Sequence, residues 1–219
     1  YYGFSGRIAS INHALMLLGF KVVKSLILST TVFDMMLEKG MIGLWKHSVG
    51  CAKVAGLLAQ KTNVDAPEEV SVAGLLHDLG KVVIAVQFPE EYQQIEDLVA
   101  KNNCSLREAE LKILGMDHAE ISLYLCEEWK LPIGLLEPIG YHHNPIYSDK
   151  ARKQTCIVHL SDILIRAAGF GSGGDPFVPP LNEDAWNLLG LTMEDIKEIV
   201  NSLQDILDVI DLEIESDTI

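Results

Sequence analysis

A histidine and an aspartate stand side by side in the most apolar stretch of this sequence. His77 and Asp78 interrupt an otherwise hydrophobic run within residues 70–85. Burying an unpaired imidazole beside an unpaired carboxylate is costly, so both groups need a partner. A divalent metal ion satisfies both, because neutral imidazole and ionised carboxylate are common metal ligands. The pair therefore predicts a metal site inside the protein.

The same pair restricts the local backbone. Neighbouring side chains on a helix point about 100° apart, so both can face one ion only at a kink or at the end of a helix. Gly80 follows two residues later and permits such an end. We therefore expect His77 and Asp78 at an interruption of the helix.

Further candidate ligands lie elsewhere along the chain. The sequence contains seven histidines, and five of them occur in contexts that suit metal binding. His47 lies within an apolar helical pattern, and His118 stands where a helix begins. His142 and His143 are adjacent and come just before a proline, and Asp162 interrupts another apolar helix. His13 and His159 are assigned structural roles.

Each candidate also has an ordinary structural interpretation. An isolated His47 or His118 is more often a hydrogen-bonded histidine of the core or the surface. Asp162 can pair with Arg166, one helical turn later. The two adjacent histidines can belong to an exposed turn. Single matches of this kind are weak, so the metal interpretation rests on their occurrence together.

Almost every segment that would position these residues has helical periodicity. Capping residues and prolines support this interpretation, among them Asp65 before Pro67 and Ser105 with Glu108. The glycine- and proline-rich segment Phe170–Pro180 is predicted to be a loop. The predicted helices are Ile8–Leu18, Lys21–Glu38, Ile42–Lys61, a helix opened by Pro67, the buried stretch Val70–Ala85, Glu90–Lys101, a helix from Leu106 to near Gly115, one from Asp117 or His118 to Trp129, Pro132–Tyr141, Thr155–Gly169 and about Met193–Ile210.

Composition restricts the class of partner. The formal net charge is −14, which disfavours binding to nucleic acid and to anionic membranes because both would repel the chain. No signal-peptide pattern or bilayer-length apolar run is present, which favours a cytoplasmic protein. The chain begins with Tyr1, so a further domain outside this sequence is compatible with it. Three of the four scattered cysteines lie in apolar helical stretches, so the cysteines are expected to be buried free thiols: Cys51, Cys104, Cys126 and Cys156.

The segment Leu76-His77-Asp78-Leu79-Gly80-Lys81 resembles the signature of the HD superfamily of metal-dependent phosphohydrolases. The order of the other candidate ligands resembles HD domains that bind two metals, including the HD-GYP phosphodiesterases. The segment Ile8–Gly19 resembles the N-terminal helical repeat of HDOD domains, the HD-related output domains of bacterial signalling proteins. The resemblance covers roughly residues 3–200, most of the chain.

The resemblance implies a role for each matching residue. A first metal would be held by four residues, of which Asp78 bridges to a second metal: His47, His77, Asp78 and Asp162. The second metal would be held by His118, His142 and His143. Asp78 and Lys81 would be the catalytic residues, with Lys81 contacting a substrate phosphate. Many HDOD domains have lost several of these ligands, whereas this sequence has all seven.

Two positions depart from the HD-GYP pattern. Asn144 and Pro145 follow the histidine pair, where that group has a Gly-Tyr-Pro motif, so specificity for cyclic dinucleotides is not implied. Gly43 stands where some HD-GYP proteins have an acid that helps hold a third metal, so two metals are expected. Glu120, Asp117 and Asn144 are candidates for orienting the ligand histidines.

The fold implied is all-α, an HD-domain-like helical bundle with an N-terminal helical HDOD subdomain. Residues 1–40 would form the HDOD segment of one globular unit, residues 41–212 the metal-binding domain and residues 213–219 a tail. The predicted cofactors are two divalent transition-metal ions, iron or manganese first, with nickel or zinc as alternatives. The absence of predicted cysteine ligands argues against a structural zinc site.

Three functions are compatible with this site. The first is a metal-dependent phosphohydrolase or phosphodiesterase, because two ions can activate water and polarise a phosphoryl group. Its partners would be a phosphate-containing small molecule or nucleotide and proteins of a signalling pathway. The second is a metal-binding regulatory module without turnover. The third is a di-iron redox site, since ligand sets rich in imidazole also serve that chemistry.

Overall fold

The computed structural model describes residues 30–174, 177–201, 203 and 207. Within this part of the chain the regular structure is helical and no β-strand occurs, which confirms the predicted all-α class. Residues 30–38 and 193–201 are also helical. The other elements, in chain order, are α1 (Ile42–Lys61), α2 (Pro67–Leu76), α3 (Leu79–Gln87), α4 (Pro89–Asn102), α5 (Leu106–Leu114), α6 (His118–Glu128), α7 (Ile133–Tyr141), a 3-10 turn (Pro145–Tyr147), α8 (Arg152–Ala168) and α9 (Glu183–Leu189).

Some expectations concern residues that the structure does not describe. The predicted helix Ile8–Leu18, the HDOD-like segment around it, His13 and the tail 213–219 lie outside the described residues. The predicted helices Lys21–Glu38 and Met193–Ile210 are described only in part.

The predicted long helix Val70–Ala85 is in fact two helices. α2 ends at Leu76 and α3 begins at Leu79, with His77 and Asp78 between them. The expected interruption is therefore present, but Gly80 has a different part in it. A Cβ on Gly80 would lie 2.0 Å from the carbonyl oxygen of His118, so glycine allows α3 to pack directly on the first turn of α6.

Helix caps explain several boundaries. Ser105 and Glu108 form the predicted capping box at the start of α5, and Gly115 ends that helix with a positive φ of 77°. Asp65 does not cap α2, because the N-cap is Ala66 in a left-handed conformation without a side-chain cap. Asp117 and Glu120 form a second capping box, which fixes the first turn of α6.

The helices enclose one main hydrophobic core. α1 packs against α2 and α8, while α7 packs against α2, α6 and α8. Apolar residues of these helices are almost fully buried, including Val54, Leu58, Leu135, Ile139 and Ile157. The polar residues of the candidate site therefore lie inside an apolar body, where an unpaired charge is costly.

Every helix in the described part of the chain is too short or too polar to cross a bilayer.

Candidate metal centre

All seven predicted ligands converge in one interior cluster. His47 comes from the first half of α1 and Asp162 from the middle of α8. The others stand at helix ends, where side chains from different helices can turn toward one point. They are His77 and Asp78 between α2 and α3, His118 at the start of α6, and His142 and His143 after α7.

One half of the cluster contains His47, His77 and Asp162. The Nε2 atom of His47 lies 3.3 Å from Nε2 of His77 and 3.2 Å from Oδ1 of Asp162. Metal–nitrogen bonds of about 2.0–2.1 Å at tetrahedral angles would place two nitrogens about 3.3 Å apart. These separations match the donor spacing of one coordination sphere.

The other half contains His118, His142 and His143. The Nε2 atoms of His118 and His143 are 2.8 Å apart, and the three residues offer nitrogens within 4.8 Å of one another. His118 and His142 are nearly fully buried, whereas His143 is only partly buried. This half therefore reaches closer to solvent than the first.

Asp78 lies between the two halves. Its Oδ2 atom is 3.5 Å from Nε2 of His47 and 3.3 Å from Nε2 of His77. Its Oδ1 atom is 3.2 Å from Nε2 of His118 and 4.0 Å from Nε2 of His142. One carboxylate thus presents one oxygen to each half, the arrangement required of a residue that bridges two ions.

Hydrogen bonds outside the cluster orient the imidazoles. Nδ1 of His77 is 2.8 Å from the carbonyl oxygen of Gly74, and Nδ1 of His142 is 2.8 Å from that of Ile139. A carbonyl oxygen only accepts, so each Nδ1 carries the hydrogen and donates it. In the neutral rings the Nε2 lone pairs then point into the cluster, which is the tautomer that a metal ligand needs.

His118 is oriented by a buried carboxylate. Glu110 Oε2 accepts hydrogen bonds from the backbone N–H of His118 at 3.0 Å and from its Nδ1 at 2.6 Å. Glu110 is only 1% exposed. The sequence interpretation missed this residue and proposed Asp117 or Glu120 instead, but those two carboxylates cap α6.

Converging lone pairs require a positive charge between them. Facing imidazole nitrogens and carboxylate oxygens repel one another unless a proton or a cation lies among them. His142 Nε2 is buried and has no hydrogen-bond partner among the described residues. A proton can serve each close pair, but a metal ion satisfies several donors at once. The donor set therefore fits divalent transition-metal ions.

Burial and neighbouring charges give the histidines of the cluster different pKa values. Burial, together with the nearby His77, lowers the pKa of His142 to about 3. Burial and the neighbouring His142 and His118 hold the pKa of His143 well below its usual value. For His118, burial acts to lower the pKa, but Glu110 and Asp78 outweigh it and raise the pKa to about 9. Of the three histidines of the second half, only His118 has a raised pKa.

Lys81 lies beside the carboxylate of Asp78. Its Nζ donates to Asp78 Oδ2 at 2.7 Å and to the carbonyl oxygen of Gly173 at 2.7 Å. The contact with a substrate phosphate that the resemblance implies for this lysine stays a prediction. For Asp78, burial acts to raise the pKa, but His77 and Lys81 outweigh it and hold the pKa well below its usual value.

Residues around the cluster have supporting contacts. His159 donates from Nδ1 to the carbonyl oxygen of His142 and accepts from the backbone N–H of Asn182, as expected of a structural histidine. Asp162 also pairs with Arg166, at 3.3 Å between Oδ1 and Nε. The metal-ligand and ion-pair interpretations of Asp162 are thus compatible, because one carboxylate can serve both.

Two further positions bear on the ligand set. Gly43 packs against Ser172, whose backbone N–H donates to the Gly43 carbonyl oxygen. Cys51 lies in the first half, with Sγ 3.6 Å from Nε2 of His47. Burial and the nearby Asp162 and Asp78 raise the pKa of this thiol well above its usual value. The sequence interpretation treated Cys51 as a core thiol and missed its place beside the ligands.

Solved structures with the same architecture come from several bacteria. An HDOD domain protein from Geobacter sulfurreducens superposes with a TM-score of 0.75 and 26% identity, over 96% of this chain and 76% of that one. A Marinobacter aquaeolei VT8 protein, provisionally assigned to signal transduction, superposes with a TM-score of 0.74 and 24% identity, over 97% of this chain and 48% of that one. A Shewanella amazonensis SB2B protein, provisionally named a phosphohydrolase, superposes with a TM-score of 0.57 and 18% identity, over 92% of this chain and 68% of that one. The last two likenesses show the fold alone.

Sequence comparison gives the family. An uncharacterised protein of Treponema pallidum (strain Nichols) is 27% identical over 180 residues. The matched region is 80% of this chain and 34% of that protein, so the chain spans about a third of its relative's length. A sequence model of the HDOD domain matches residues 1–145. The match covers well over half of the sequence, and the chain belongs to the HDOD family.

Proposed function

We propose that this HDOD domain is a metal-dependent phosphohydrolase that acts on a phosphate ester or nucleotide in bacterial signalling. One observation carries the proposal: two groups of ligands face the two oxygens of a single buried carboxylate, Asp78. His47, His77 and Asp162 would hold one divalent ion with Asp78 Oδ2. His118, His142 and His143 would hold the other with Oδ1.

The proposed metals follow from the donors. Five imidazoles and two carboxylates form a mixed nitrogen and oxygen set that suits transition metals better than calcium or magnesium. Iron or manganese is proposed first, with nickel or zinc as alternatives. Bound ions would supply Lewis-acid activation of water and of a phosphoryl oxygen.

The protein's own side chains would orient the metal ligands and neutralise the negative charge of the phosphate. Glu110 fixes the His118 ring and keeps its Nε2 directed at the site. Lys81 holds Asp78 in place and carries the positive charge that would meet a non-bridging phosphate oxygen. It also lines a cavity of about 410 Å³, within the usual range for small-ligand sites, with Tyr92, Gln93 and Glu96 among the lining residues. Apolar residues such as Leu44 and Leu106 line the same cavity, and this mixed lining can receive the organic part of a phosphate ester.

Relatives support the direction of the proposal. The Shewanella amazonensis protein of the same fold is provisionally named a phosphohydrolase, and the Marinobacter aquaeolei protein is provisionally assigned to signal transduction. Both assignments apply to those proteins. Here they make a phosphorylated substrate and a signalling partner the first candidates.

The test combines metal analysis with an activity assay. The 219-residue chain is purified without added metal, analysed for bound elements, and assayed with a chromogenic phosphodiester in Mn²⁺ or Fe²⁺. We expect two ions per chain and metal-dependent release of the chromophore. Asp78→Asn should abolish both, and Lys81→Met should lower turnover while keeping the metals. Wild-type protein without bound transition metal would contradict the proposal.

A second function is favoured by a specific contact. Lys81 is only 4% exposed, and the Gly173 carbonyl oxygen occupies one of its three donor positions. Asp78 accepts from a second donor position, so a phosphate could use only the third unless the Gly173 contact changes. In a regulatory module without turnover, the closed contact would be permanent and metal binding would serve stability. Two bound ions with no hydrolysis of phosphomonoesters, phosphodiesters or nucleotides across Mn²⁺, Fe²⁺, Ni²⁺ and Zn²⁺ would favour this module.

A further inference from the structure

A buried thiol stands one helical turn after the first histidine of the cluster. Cys51 and His47 are both on α1, four residues apart, so their side chains share one face of the helix. The thiol is fully buried, and its Sγ lies 3.6 Å from Nε2 of His47 and 4.0 Å from Nδ1. It therefore lies beside the ligand atoms of the first half.

The donor distances around His47 form a consistent set. From Nε2, the nearest donors are Asp162 Oδ1 at 3.2 Å, His77 Nε2 at 3.3 Å, Asp78 Oδ2 at 3.5 Å and Cys51 Sγ at 3.6 Å. Metal–sulfur bonds of about 2.3 Å are longer than metal–nitrogen bonds of about 2.0–2.1 Å, so sulfur belongs slightly farther out. Four side chains offer ligand atoms that all lie within 4.8 Å of one another: those of His47, Cys51, His77 and Asp162.

The other buried thiols give a contrast. Cys126 and Cys156 are also buried in the main core. Among the described residues, only Cys51 of the four cysteines falls in a group of histidine and carboxylate donors. A cysteine that merely filled core space would need no such neighbours.

We propose that Cys51 is a thiolate ligand of the ion held by His47, His77 and Asp162. The inference rests on the proposed metal centre and makes its two halves chemically different. On metal binding the thiol proton leaves to solvent, and sulfur donates to the ion. The first half then prefers soft or borderline ions such as zinc, iron(II) and cobalt(II) over manganese. The second half has only nitrogen and oxygen donors and accepts manganese more readily.

Cobalt(II) substitution tests the proposal by spectroscopy. The full chain is stripped with chelator and titrated with Co²⁺. We expect ligand-field bands in the visible region and, with the first equivalent, an intense thiolate-to-cobalt charge-transfer band in the near ultraviolet. In Cys51→Ser the visible bands should persist while the charge-transfer band disappears. The matched control Cys156→Ser should retain both.

Preference between metals gives a second readout. In competition between Zn²⁺ and Mn²⁺, Cys51→Ser should lose at least about tenfold of its preference for zinc, the lower end of the loss expected when a supporting group of a metal site is removed. Cys156→Ser should keep the wild-type preference. If Cys51→Ser does not fold, the charge-transfer band of wild-type protein still decides the question, because it needs no variant.

The outcomes separate this inference from the proposed function. Visible cobalt bands in wild-type protein without a thiolate band would overturn the role of Cys51 and leave the metal centre standing. No cobalt bands at all would overturn the metal centre, and the thiolate ligand with it.

Discussion

The two halves of the histidine cluster contain similar donors in different settings. His47 and Asp162 project from within long helices, α1 and α8, and the half they form with His77 is sealed in the core. His118 and the pair after α7 stand at helix ends, and the pair's second member, His143, is partly exposed. The imidazoles of the first half are thus fully buried, whereas one imidazole of the second half lies closer to solvent.

The supporting groups differ as well. In the first half, Arg166 and Cys51 lie against the ligands, and the carbonyl oxygen of Gly74 fixes His77. In the second half, one buried carboxylate, Glu110, orients His118. The comparison teaches that burial would secure an ion in the first half, whereas an ion in the second half would depend more on a few orienting contacts. We therefore expect the second ion to exchange faster and to be lost first.

Asp78→Asn should have the largest effect. Both halves share this carboxylate, and an amide carries no charge and offers one oxygen, so at least one ion loses a ligand and the whole site loses negative charge. We expect metal content to fall from two ions per chain to less than half an ion, measured by elemental analysis after gel filtration. Full retention of either ion would show that the halves bind independently.

Removal of metal should destabilise the fold markedly. A ligand present at about a thousand times its Kd stabilises the native state by about 4 kcal/mol. For a chain of this size, that corresponds to a fall in Tm of about 8–16 °C on chelation. Calorimetry with and without chelator measures it, and restoring one equivalent of metal should recover most of the loss. An unchanged Tm would place any bound metal at the periphery.

Glu110→Gln should affect only the second half. Loss of a carboxylate that orients a ligand histidine typically weakens metal affinity about 10–100-fold. We expect that loss for the second ion and no more than a twofold change for the first, measured by metal titration. Glu120→Gln is the control, because Glu120 caps α6 and does not contact the His118 ring. Equal weakening of both ions would contradict the division into halves.

Acid should destabilise the metal-free protein more than mild alkali. Burial, with His77, lowers the folded pKa of His142 to about 3, and burial also lowers those of His47 and His143. Their stabilisation is complete above the unfolded pKa of about 6.5 and is lost as pH falls toward the folded values. His118, raised to about 9, contributes below about 6.5 and loses its contribution as pH rises to about 9.

Urea unfolding of chelated protein measures this balance. Because three histidines act in one direction and one in the other, the free energy of unfolding should fall more from pH 6.5 to 4.5 than from pH 6.5 to 8.5. A flat profile between pH 7 and pH 4.5 would mean that these histidines are not held neutral in the metal-free fold.

The cluster could be predicted from the sequence because its members are polar residues within apolar segments. Polar residues such as His77 and Asp162 in apolar helices need partners, and that conflict is visible in a single chain. Glu110 could not be found this way, because Leu106–Leu114 looks like an ordinary surface helix carrying a charged residue. Its burial arises only when α5 meets the first turn of α6, which is tertiary information.

Helix limits show the same division between local and tertiary causes. Capping residues predicted the start of α5 at Ser105 and the end near Gly115. The break within the predicted helix Val70–Ala85 was expected near Gly80, but the glycine's contact with His118 depends on α6. Cys51 was assigned to the core because its helix face is mostly apolar, and only the folded chain brings the site to that face.

Anomalous diffraction from crystals of metal-loaded protein tests the two-ion centre most directly. Data at the manganese and zinc absorption edges locate each ion and identify it. We expect two peaks, one beside each oxygen of Asp78, with a higher ratio of zinc to manganese next to His47 and His77 than next to His118 and His143. Crystals grown with both metals that show no anomalous peak within bonding distance of Asp78 would contradict the central claim.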